Sequence, residues 1–463
     1  MTDLTTKPAP PSALRRRWTN ATVAGLPIVL LVAIALSRFP FLDAGYGTNH
    51  DAWRVARSAR LIADTGQYEV SRFPGYPVHE ITCALFRWGG PIALNGLSAA
   101  FSVAAAAACW LIARKLKCCD SLLLAVAFAA TPTLFINSVS SKDYVWALAF
   151  ALWALFAILN RRHAIDVVLF GLAIGCRITS GAMLLPLALI LYGQTRDWRV
   201  IARFAACAGL AALVAFTPVW ARYGWSFLTF YDDHARPSVA TIAMRATVEF
   251  WGSFGVAGLA VAILAAGLAA SRTLPRSLPP SENSLLVAAL FAWVALYVIA
   301  FLALPDQAGY LVPLVAPVLL ILARFAARPA FQFACVCLLA APWIDLGGGQ
   351  LKQGPVLADH RGRRATLRDV RQFVAMTEEK LPNGTIVVVG AWQPIIDEMF
   401  VGTPIDNRYV YLLSRREAED AARSGVPMAY ATEVIRGFNQ RVHGVDLAAY
   451  GAGNVRQLLL GVP

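Results

Sequence analysis

Apolar residues fill most of the first three quarters of the chain, in stretches that short polar connections separate. A run of about eighteen uncharged residues is long enough to cross roughly 30 Å of hydrocarbon as a helix with internally closed hydrogen bonds. Such helices are predicted near residues 22–41, 92–113, 120–138, 144–160, 164–177, 178–193, 200–219, 249–270, 284–304, 308–325 and 329–344. The pattern therefore predicts an all-α polytopic membrane domain with about eleven transmembrane helices over residues 1–344.

From about Asp345 onward the pattern changes to a mixed, charged one that is typical of a globular domain. A helix is predicted over 363–379, and the apolar run Ile386–Val389, bounded by Asn383-Gly384 and Gly390, predicts a buried strand. Another helix is predicted over 414–423. Residues 345–463 are therefore predicted to form a small soluble α/β domain.

The composition agrees with a membrane protein, because 58% of the 463 residues are hydrophobic and only 15% are charged. The net charge of +13 does not indicate a nucleic-acid partner, since the basic residues fall mostly in short connections between apolar runs. They cluster in every second connection, at residues 15–17, 114–117, 161–162, 196–199, 272–276 and 324–328. By the positive-inside rule, the N-terminus is cytoplasmic and the C-terminal domain extracytoplasmic, in an inner or plasma membrane.

The first predicted outer loop, residues 42–91, is too long for a simple connection and is rich in ionisable and aromatic residues. Its segment "NHDAWRVARSARLIADTG" predicts an amphipathic helix along the membrane surface, with Asn49 as its cap and Asp51 in its first turn. Taken alone, Asp51 is most simply a helix-capping carboxylate. Pro74, Gly75 and Pro77 then predict a tight turn.

Three features together resemble a known superfamily. Asp51 follows the first membrane helix directly, "SRFPGYPVHE" comes about twenty residues later, and "LPDQAGYLVPLVAPVLLILAR" leads into the tenth helix. They resemble the GT-C superfamily of polytopic membrane glycosyltransferases, over roughly residues 20–345. The resemblance implies a polyprenyl-phosphate-linked sugar as donor and a glycan, lipid or protein as acceptor. It also implies that Asp51 is the catalytic base of an inverting transfer on the extracytoplasmic face.

An aspartate with an ordinary pKa of about 3.9 is ionised at neutral pH and can accept the proton of an attacking hydroxyl. The family usually places a second acidic residue beside the first, whereas His50 and Ala52 flank Asp51. This departure argues against a paired-carboxylate metal site. His79, Glu80 and His234 are either ligands of a divalent metal or ordinary polar surface. The sequence does not require a metal, and the cofactor stays unknown.

A donor phosphate needs cationic partners, and Lys142 and Arg177 are candidates on the outer side, together with Arg222, Arg236 and Arg245. Arg177 lies between two apolar segments, where a charge is costly, so it either binds substrate or snorkels to the interface. Near Gln307 the family usually has a basic residue, but Ala308 and Gly309 stand here. The predicted substrate-binding residues are His50, Arg72, Tyr76, His79, Glu80, Lys142, Asp143, Arg177, His234, Gln307 and Tyr310.

Two other functions compete with sugar transfer. A transporter or flippase for a lipid-linked substrate is expected to have an interior charge pathway and usually internal repeats. The predicted ionisable residues instead cluster on the outer side, and no sequence repeat is evident. A non-catalytic membrane assembly protein would use its outer domain to recruit partners. In that case Asp51→Asn would leave function intact.

Overall fold

The structure, a computed structural model, describes residues 13–225, 227, 237–270, 280–347 and 350–455. Its first part is helical, as the apolar runs predict. The helices are α1 (Ala13–Arg38), α2 (His50–Thr65), α3 (Pro77–Phe86), α4 (Gly90–Lys115), α5 (Ser121–Ala130), α6 (Pro132–Ser138), α7 (Tyr144–Leu159), α8 (His163–Cys176), α9 (Leu184–Thr195), α10 (Trp198–Ala215), α11 (Thr217–Tyr223), α12 (Val239–Ala246), α13 (Val248–Trp251), α14 (Ser253–Ala270), α15 (Pro280–Ala303), α16 (Val315–Phe325) and α17 (Arg328–Ala340). Short 3-10 helices at Ile178–Met183 and Ala308–Leu314 precede α9 and α16.

Each of the eleven predicted segments coincides with apolar helix, but 120–138 and 249–270 are each broken into two helices, and the ends of the others differ. By length and composition, five described segments can cross a membrane, and the number reaches seven if each of two bent helix pairs is one span. Four further apolar helices are shorter, at Gly25–Phe41, Tyr144–Leu159, Ala164–Cys176 and Arg328–Ala340. The prediction of a polytopic helical membrane protein is confirmed.

The two bent pairs have identifiable local causes. α5 and α6 meet at 68°, at the Thr131–Pro132 step. Proline disfavours helical backbone in the residue before it, and Thr131 has an extended ψ of 124°. The segments on either side of Gly252 meet at 92°, and Gly252 has a φ of +72°, which a glycine adopts without strain.

Two contacts bring basic connections together at one end of the helix bundle. Lys115, at the end of α4, donates to the side chain of Asn160, which follows α7, over 3.1 Å. Arg328 forms a two-bond ion pair with Asp120, before α5, at 2.7 and 2.9 Å. Because α7 runs from Tyr144 toward this end, residues 139–143 lie at the opposite end. That opposite end, which also carries residues 42–91, is called the site end below.

The C-terminal part begins with a hairpin of β1 (Ile344–Gly347) and β2 (Gln350–Gln353). Helix α18 (Pro355–Lys380) follows, and then a parallel sheet in the order β4-β3-β5-β6. The strands are β3 (Ile386–Val388), β4 (Arg408–Val410), β5 (Met428–Tyr430) and β6 (Gly453–Asn454), joined by α19 (Gln393–Met399), α20 (Arg415–Arg423) and α21 (Glu433–His443). Ile386 lies opposite Arg408 on one side and Met428 on the other. The predicted buried strand is β3, and the two predicted helices are α18 and α20.

Helix α2 joins the two parts of the molecule. Its predicted cap is confirmed, since the side chain of Asn49 accepts from the backbone N–H of Asp51. Trp53 packs into the core of the α/β domain. Arg57 and Arg60 reach α19, where Arg57 pairs with Asp397 at 3.4 Å and Arg60 pairs with Glu398 at 2.9 Å. The arginine side of this amphipathic helix therefore contacts the α/β domain.

Candidate functional site

Asp51 lies in the first turn of α2, at the site end of the bundle. A carboxylate is favourable there because the unpaired backbone N–H groups at a helix N-terminus carry partial positive charge. Asp51 is only 6% exposed to solvent. The carboxylate is therefore held by neighbours rather than by bulk water.

Those neighbours form a row of alternating charges. Arg72 contacts the Asp51 carboxylate with Nη1 at 2.5 Å and the Asp143 carboxylate with Nη2 at 3.0 Å. The other oxygen of Asp143 accepts from Nη1 of Arg177 at 2.6 Å. Buried charges are stable when each is paired with good geometry, and this arrangement pairs all four. We call Asp51, Arg72, Asp143 and Arg177 the charged row.

Gln307 and two tyrosines also contact the row. Nε2 of Gln307 donates to Asp51 over 3.1 Å, and its oxygen lies 3.4 Å from Nζ of Lys142. Arg177 lies over the rings of Tyr144 and Tyr310, at 4.1 and 5.1 Å from the centroids. Aromatic faces attract a guanidinium, so these rings fix its direction.

Glu80 holds the segment that delivers Arg72. Its carboxylate accepts from the backbone N–H groups of Ser71 and Tyr76 over 2.7 and 3.0 Å, and from the hydroxyls of Ser71 and Tyr68. Arg72 in turn donates from Nε to the hydroxyl of Tyr76 over 2.8 Å. The "SRFPGYPVHE" segment is thus ordered around one buried carboxylate.

His79, the neighbour of Glu80, faces elsewhere. It is fully buried, its ring meets Trp146 edge to face with centroids 4.9 Å apart, and its Nε2 lies 3.6 Å from Sγ of Cys83. Neither His79 nor Glu80 lines the two cavities described below. His234 lies outside the described residues. Among the described residues, no group of three His, Cys, Asp or Glu side chains could hold a metal ion.

The charges shift the protonation of two side chains at the site. Burial opposes ionisation of Asp51, but Arg72 and Lys142 outweigh it and hold the pKa of Asp51 well below its usual value. Burial lowers the pKa of Lys142 to about 8, against the opposing attraction of Asp51. At neutral pH the site therefore presents an ionised carboxylate and an ammonium group close to its titration point.

A cavity of about 640 Å³, the polar cavity, opens beside this carboxylate between the bundle and the α/β domain. The membrane part contributes polar side chains that include His50, Lys142, Arg245, Glu249 and Gln307. The α/β domain contributes Asp359, Thr366, Ala391, Trp392 and Ile395. The volume lies within the range of about 300–1,000 Å³ that is usual for ligand sites.

A second cavity of about 300 Å³, the apolar pocket, opens at the other end of the charged row. Its lining is mostly apolar, and Arg177 is the one charged member among the residues that the structure describes. The lining residues are Pro74, Tyr76, Arg177, Ile178, Thr179, Tyr297, Ala300, Phe301, Ala303, Leu304 and Tyr310. Arg177 thus lies in the apolar pocket, whereas His50 and Gln307, which contact Asp51, line the polar cavity.

Most of the predicted site residues meet here. The structure brings together His50, Asp51, Arg72, Tyr76, Lys142, Asp143, Arg177, Gln307 and Tyr310. Sequence reasoning missed Tyr144 and Trp392. Tyr144 directly follows the charged pair Lys142-Asp143, and this position was an available signal. Nothing in the sequence near Trp392 indicates that its side chain lines the same cavity as residues more than 80 positions earlier in the chain.

Comparisons with known proteins identify the fold. No protein-family model and no curated protein match the sequence. Among solved structures, the chain is similar to ArnT from Cupriavidus metallidurans in the apo state, with a TM-score of 0.53, 14% identity, and 94% of this chain and 90% of that chain covered. The same protein bound to undecaprenyl phosphate gives a TM-score of 0.53 at 15% identity, with the same coverage.

An oligosaccharyltransferase from Archaeoglobus fulgidus, tethered to an acceptor peptide, is also similar, with a TM-score of 0.45, 12% identity, and 91% of this chain and 68% of that chain covered. The fold assignment rests on ArnT alone. The likeness to ArnT extends over nearly the whole chain, including the α/β domain. The protein therefore has the fold of ArnT.

Proposed function

We propose that this protein is a membrane glycosyltransferase that moves a sugar from a polyprenyl-phosphate donor to an acceptor hydroxyl. The observation that carries the proposal is the charged row, which connects a buried carboxylate beside a polar cavity with an arginine in an apolar pocket. Such a reaction joins a lipid-borne donor with a water-facing acceptor. A site of this kind needs the two environments that the row connects.

The apolar pocket supports a lipid-linked donor. Its aliphatic and aromatic lining suits a prenyl chain, and Arg177 supplies a guanidinium that can bind a phosphate with two hydrogen bonds. Arg72 lies next along the row and adds a second cation. The solved complex of ArnT with undecaprenyl phosphate supports a polyprenyl carrier of this type.

Asp51 is the proposed catalytic base. The acceptor oxygen bonds to the sugar carbon, Asp51 takes the hydroxyl proton, and the bond to the phosphate oxygen breaks, so that polyprenyl phosphate leaves with the bonding pair. A single displacement of this kind inverts the sugar carbon. Arg72 and Lys142 hold down the pKa of Asp51, so an anionic phosphate bound beside them raises it. Asp51 is then most basic when the donor is present.

The direction of the helices supports an extracytoplasmic site. The basic connections near Lys115 and Arg328 gather at the end of the bundle opposite Asp51. Basic connections mark the cytoplasmic side of a plasma or inner membrane. The N-terminus is then cytoplasmic, and the α/β domain is extracytoplasmic, where it covers the acceptor side of the reaction.

The test is transfer of radiolabelled sugar from a panel of polyprenyl-phosphate donors by the purified full-length protein in lipid nanodiscs. We expect transfer from at least one donor, and a loss of about 10²–10⁴-fold in Asp51→Asn, which keeps the shape and removes the base. Asp64→Asn is the matched control, because Asp64 lies on the same helix in an exposed pair with Arg87.

Wild-type transfer that Asp51→Asn leaves unchanged would disprove the role of Asp51. Folded protein that transfers from no donor, but moves the lipid-linked sugar across a proteoliposome bilayer, would establish transport instead. Absence of both activities would favour an assembly role.

A further inference from the structure

The polar cavity lies at the edge of the parallel sheet where ligands are expected. Residues 389–392 leave the carboxyl end of β3, and Ala391, Trp392 and Ile395 line the cavity. From β3 the chain moves to β4 on one side, whereas from β5 it moves to β6 on the other. Open parallel sheets bind ligands outside the carboxyl ends of their strands, at such a reversal. The α/β domain thus presents its usual ligand edge to the reaction site.

The cations in the described lining of this cavity already have partners. Lys142 hydrogen bonds to Gln307, and its charge offsets that of Asp51. Arg245 donates from Nη1 to the carbonyl of Pro305 over 2.6 Å. A phosphate is bound well by two neighbouring guanidinium groups, such as those of Arg177 and Arg72, which share Asp143 beside the apolar pocket. The described lining of the polar cavity contains a single arginine, Arg245, and so offers an anionic acceptor no such pair.

Hydrogen-bond acceptors are plentiful in the same lining. Glu249, Asp306 and Asp359 contribute carboxylates, of which Asp359 is paired with Arg363 at 2.7 Å, and the cations are Lys142 and Arg245. Glu249 is exposed to the cavity and forms no ion pair with any described residue. A carboxylate repels an anion but accepts hydrogen bonds from hydroxyl groups. The chemistry of the lining therefore favours an uncharged molecule with many hydroxyls.

Trp392 supplies a flat surface for such a molecule. It is half-buried, and Phe373 meets it edge to face, with centroids 5.4 Å apart and planes at 74°. This contact fixes the direction of the indole. Aromatic side chains contribute a large contact area at a low entropic cost, and the C–H face of a sugar ring packs well against them.

We propose that the polar cavity binds an uncharged carbohydrate acceptor, with Trp392 against a sugar ring and Glu249 accepting hydrogen bonds from its hydroxyls. This inference rests on the proposed function, and names the class of acceptor. It gives the α/β domain a role in selecting the acceptor. It also assigns the two cavities opposite preferences for anions. The donor phosphate binds at the apolar pocket, and the polar cavity disfavours a phosphate on the acceptor.

The test is calorimetric binding of neutral gluco-, manno- and galacto-configured disaccharides to the full-length protein in nanodiscs, beside the same disaccharides carrying a phosphate. We expect a neutral disaccharide to bind at least about 10-fold more tightly than its phosphorylated form, and Trp392→Ala to weaken it by about 10-fold. Trp392→Phe keeps most of the affinity. Glu249→Lys is expected to narrow or reverse the preference against phosphate.

Trp198→Ala is the control, because Trp198 is 69% exposed and begins α10, at the end of the bundle opposite the site. Preferred binding of the phosphorylated disaccharides, or binding of no neutral disaccharide by the folded protein, would overturn the inference. So would unchanged affinity in both Trp392→Ala and Glu249→Lys. Because binding is measured without a donor, failure of transfer alone would count against the proposed function and not against this acceptor class.

Discussion

The apolar pocket contains Arg177, at one end of the charged row, and the polar cavity lies beside Asp51, at the other end, but the two cavities are built differently. The apolar pocket, of about 300 Å³, is lined by the bundle and by the segment around Tyr76. The polar cavity, of about 640 Å³, is closed only when the α/β domain adds its own residues to those of the bundle. The bundle by itself can thus provide the lipid side of the site. The water-facing side depends on the second domain.

The comparison also shows why charges are paired in this way. Arg177 has Asp143 as a partner, and Asp143 is shared with Arg72, which also holds Asp51. A buried charge without a partner costs several kcal/mol, so the row must be neutralised before substrate arrives. An incoming phosphate then competes with a carboxylate for the arginines. Donor binding at one cavity thereby changes the electrostatics at the other.

The largest expected effect in this comparison is on the donor side. Arg177→Met removes the charged residue in the described lining of the apolar pocket and leaves Asp143 paired with Arg72. Truncating one partner of a buried charge pair costs about 2–5 kcal/mol, so we expect the KM for donor to rise about 30-fold or more. The KM for acceptor is expected to change little. Steady-state transfer at varied donor and acceptor concentrations measures both.

Arg87→Met is the matched control, because Arg87 also pairs with an aspartate but is 40% exposed. Exposed pairs contribute little. The double variant Arg177→Met/Asp143→Asn separates stability from binding, since it removes the orphaned carboxylate. If the double variant regains wild-type affinity for donor, Arg177 is structural and the apolar pocket does not bind the phosphate.

A smaller effect is expected from the pH. Because the pKa of Lys142 is lowered to about 8, its ammonium loses a proton as the pH rises through 8. Lys142 lines the polar cavity, so its charge acts on a phosphate in the apolar pocket only from a distance. The affinity for an anionic donor should therefore fall between about pH 7 and pH 9 by no more than a few-fold, with a midpoint near 8. Lys142→Arg should remove this midpoint, since a guanidinium stays protonated. If the wild-type KM for donor did not change across this pH range, the predicted contribution of the Lys142 charge to donor binding would be wrong.

Stability provides the control for this pH experiment. A lysine whose pKa is lower in the folded state than in the unfolded state binds fewer protons when folded, between pH 8 and its usual value of about 10.4. The contribution of Lys142 to stability therefore rises with pH in this window. Loss of donor affinity without loss of thermal stability identifies a binding effect.

The smallest predicted effect concerns the contact between the domains. Arg363 of α18 is buried and donates to the carbonyl of Val139 and the hydroxyl of Ser140, each over 2.7 Å. It thereby positions the turn that carries Lys142 and Asp143. We expect Arg363→Lys, which cannot make both bonds in the same geometry, to lower kcat a few-fold and leave donor KM nearly unchanged. Arg364→Lys, in an exposed pair with Asp43, is the control.

A kcat for Arg363→Lys equal to that of wild type would show that the turn is held by the bundle alone. The α/β domain would then contribute residues to the lining of the polar cavity but would not determine the position of residues 139–143. Hydrogen exchange at residues 139–143 is the second measurement, because a positioning role predicts faster exchange there in the variant.

Local patterns were sufficient to predict much of the fold. Long uncharged runs produced all eleven helical segments, because a backbone in lipid must close its own hydrogen bonds. Asn49 followed by Asp51 marked the start of α2 correctly, because capping is decided within one turn. The predicted strand at Ile386 is the central strand of the sheet. In each case the signal lies within a few residues of the structure that it specifies.

The sequence by itself thus determined the membrane class, the helices, the α/β character of the C-terminal domain and the candidacy of Asp51. Only the tertiary structure decided which charges meet, since Arg72 lies 71 positions from Asp143 and Gln307 lies 256 from Asp51. It likewise turned the arginines of α2 toward α19 and set Glu80 to order a loop. The physical reason is that ion pairs and cavities depend on distances between elements, which packing sets and local sequence does not.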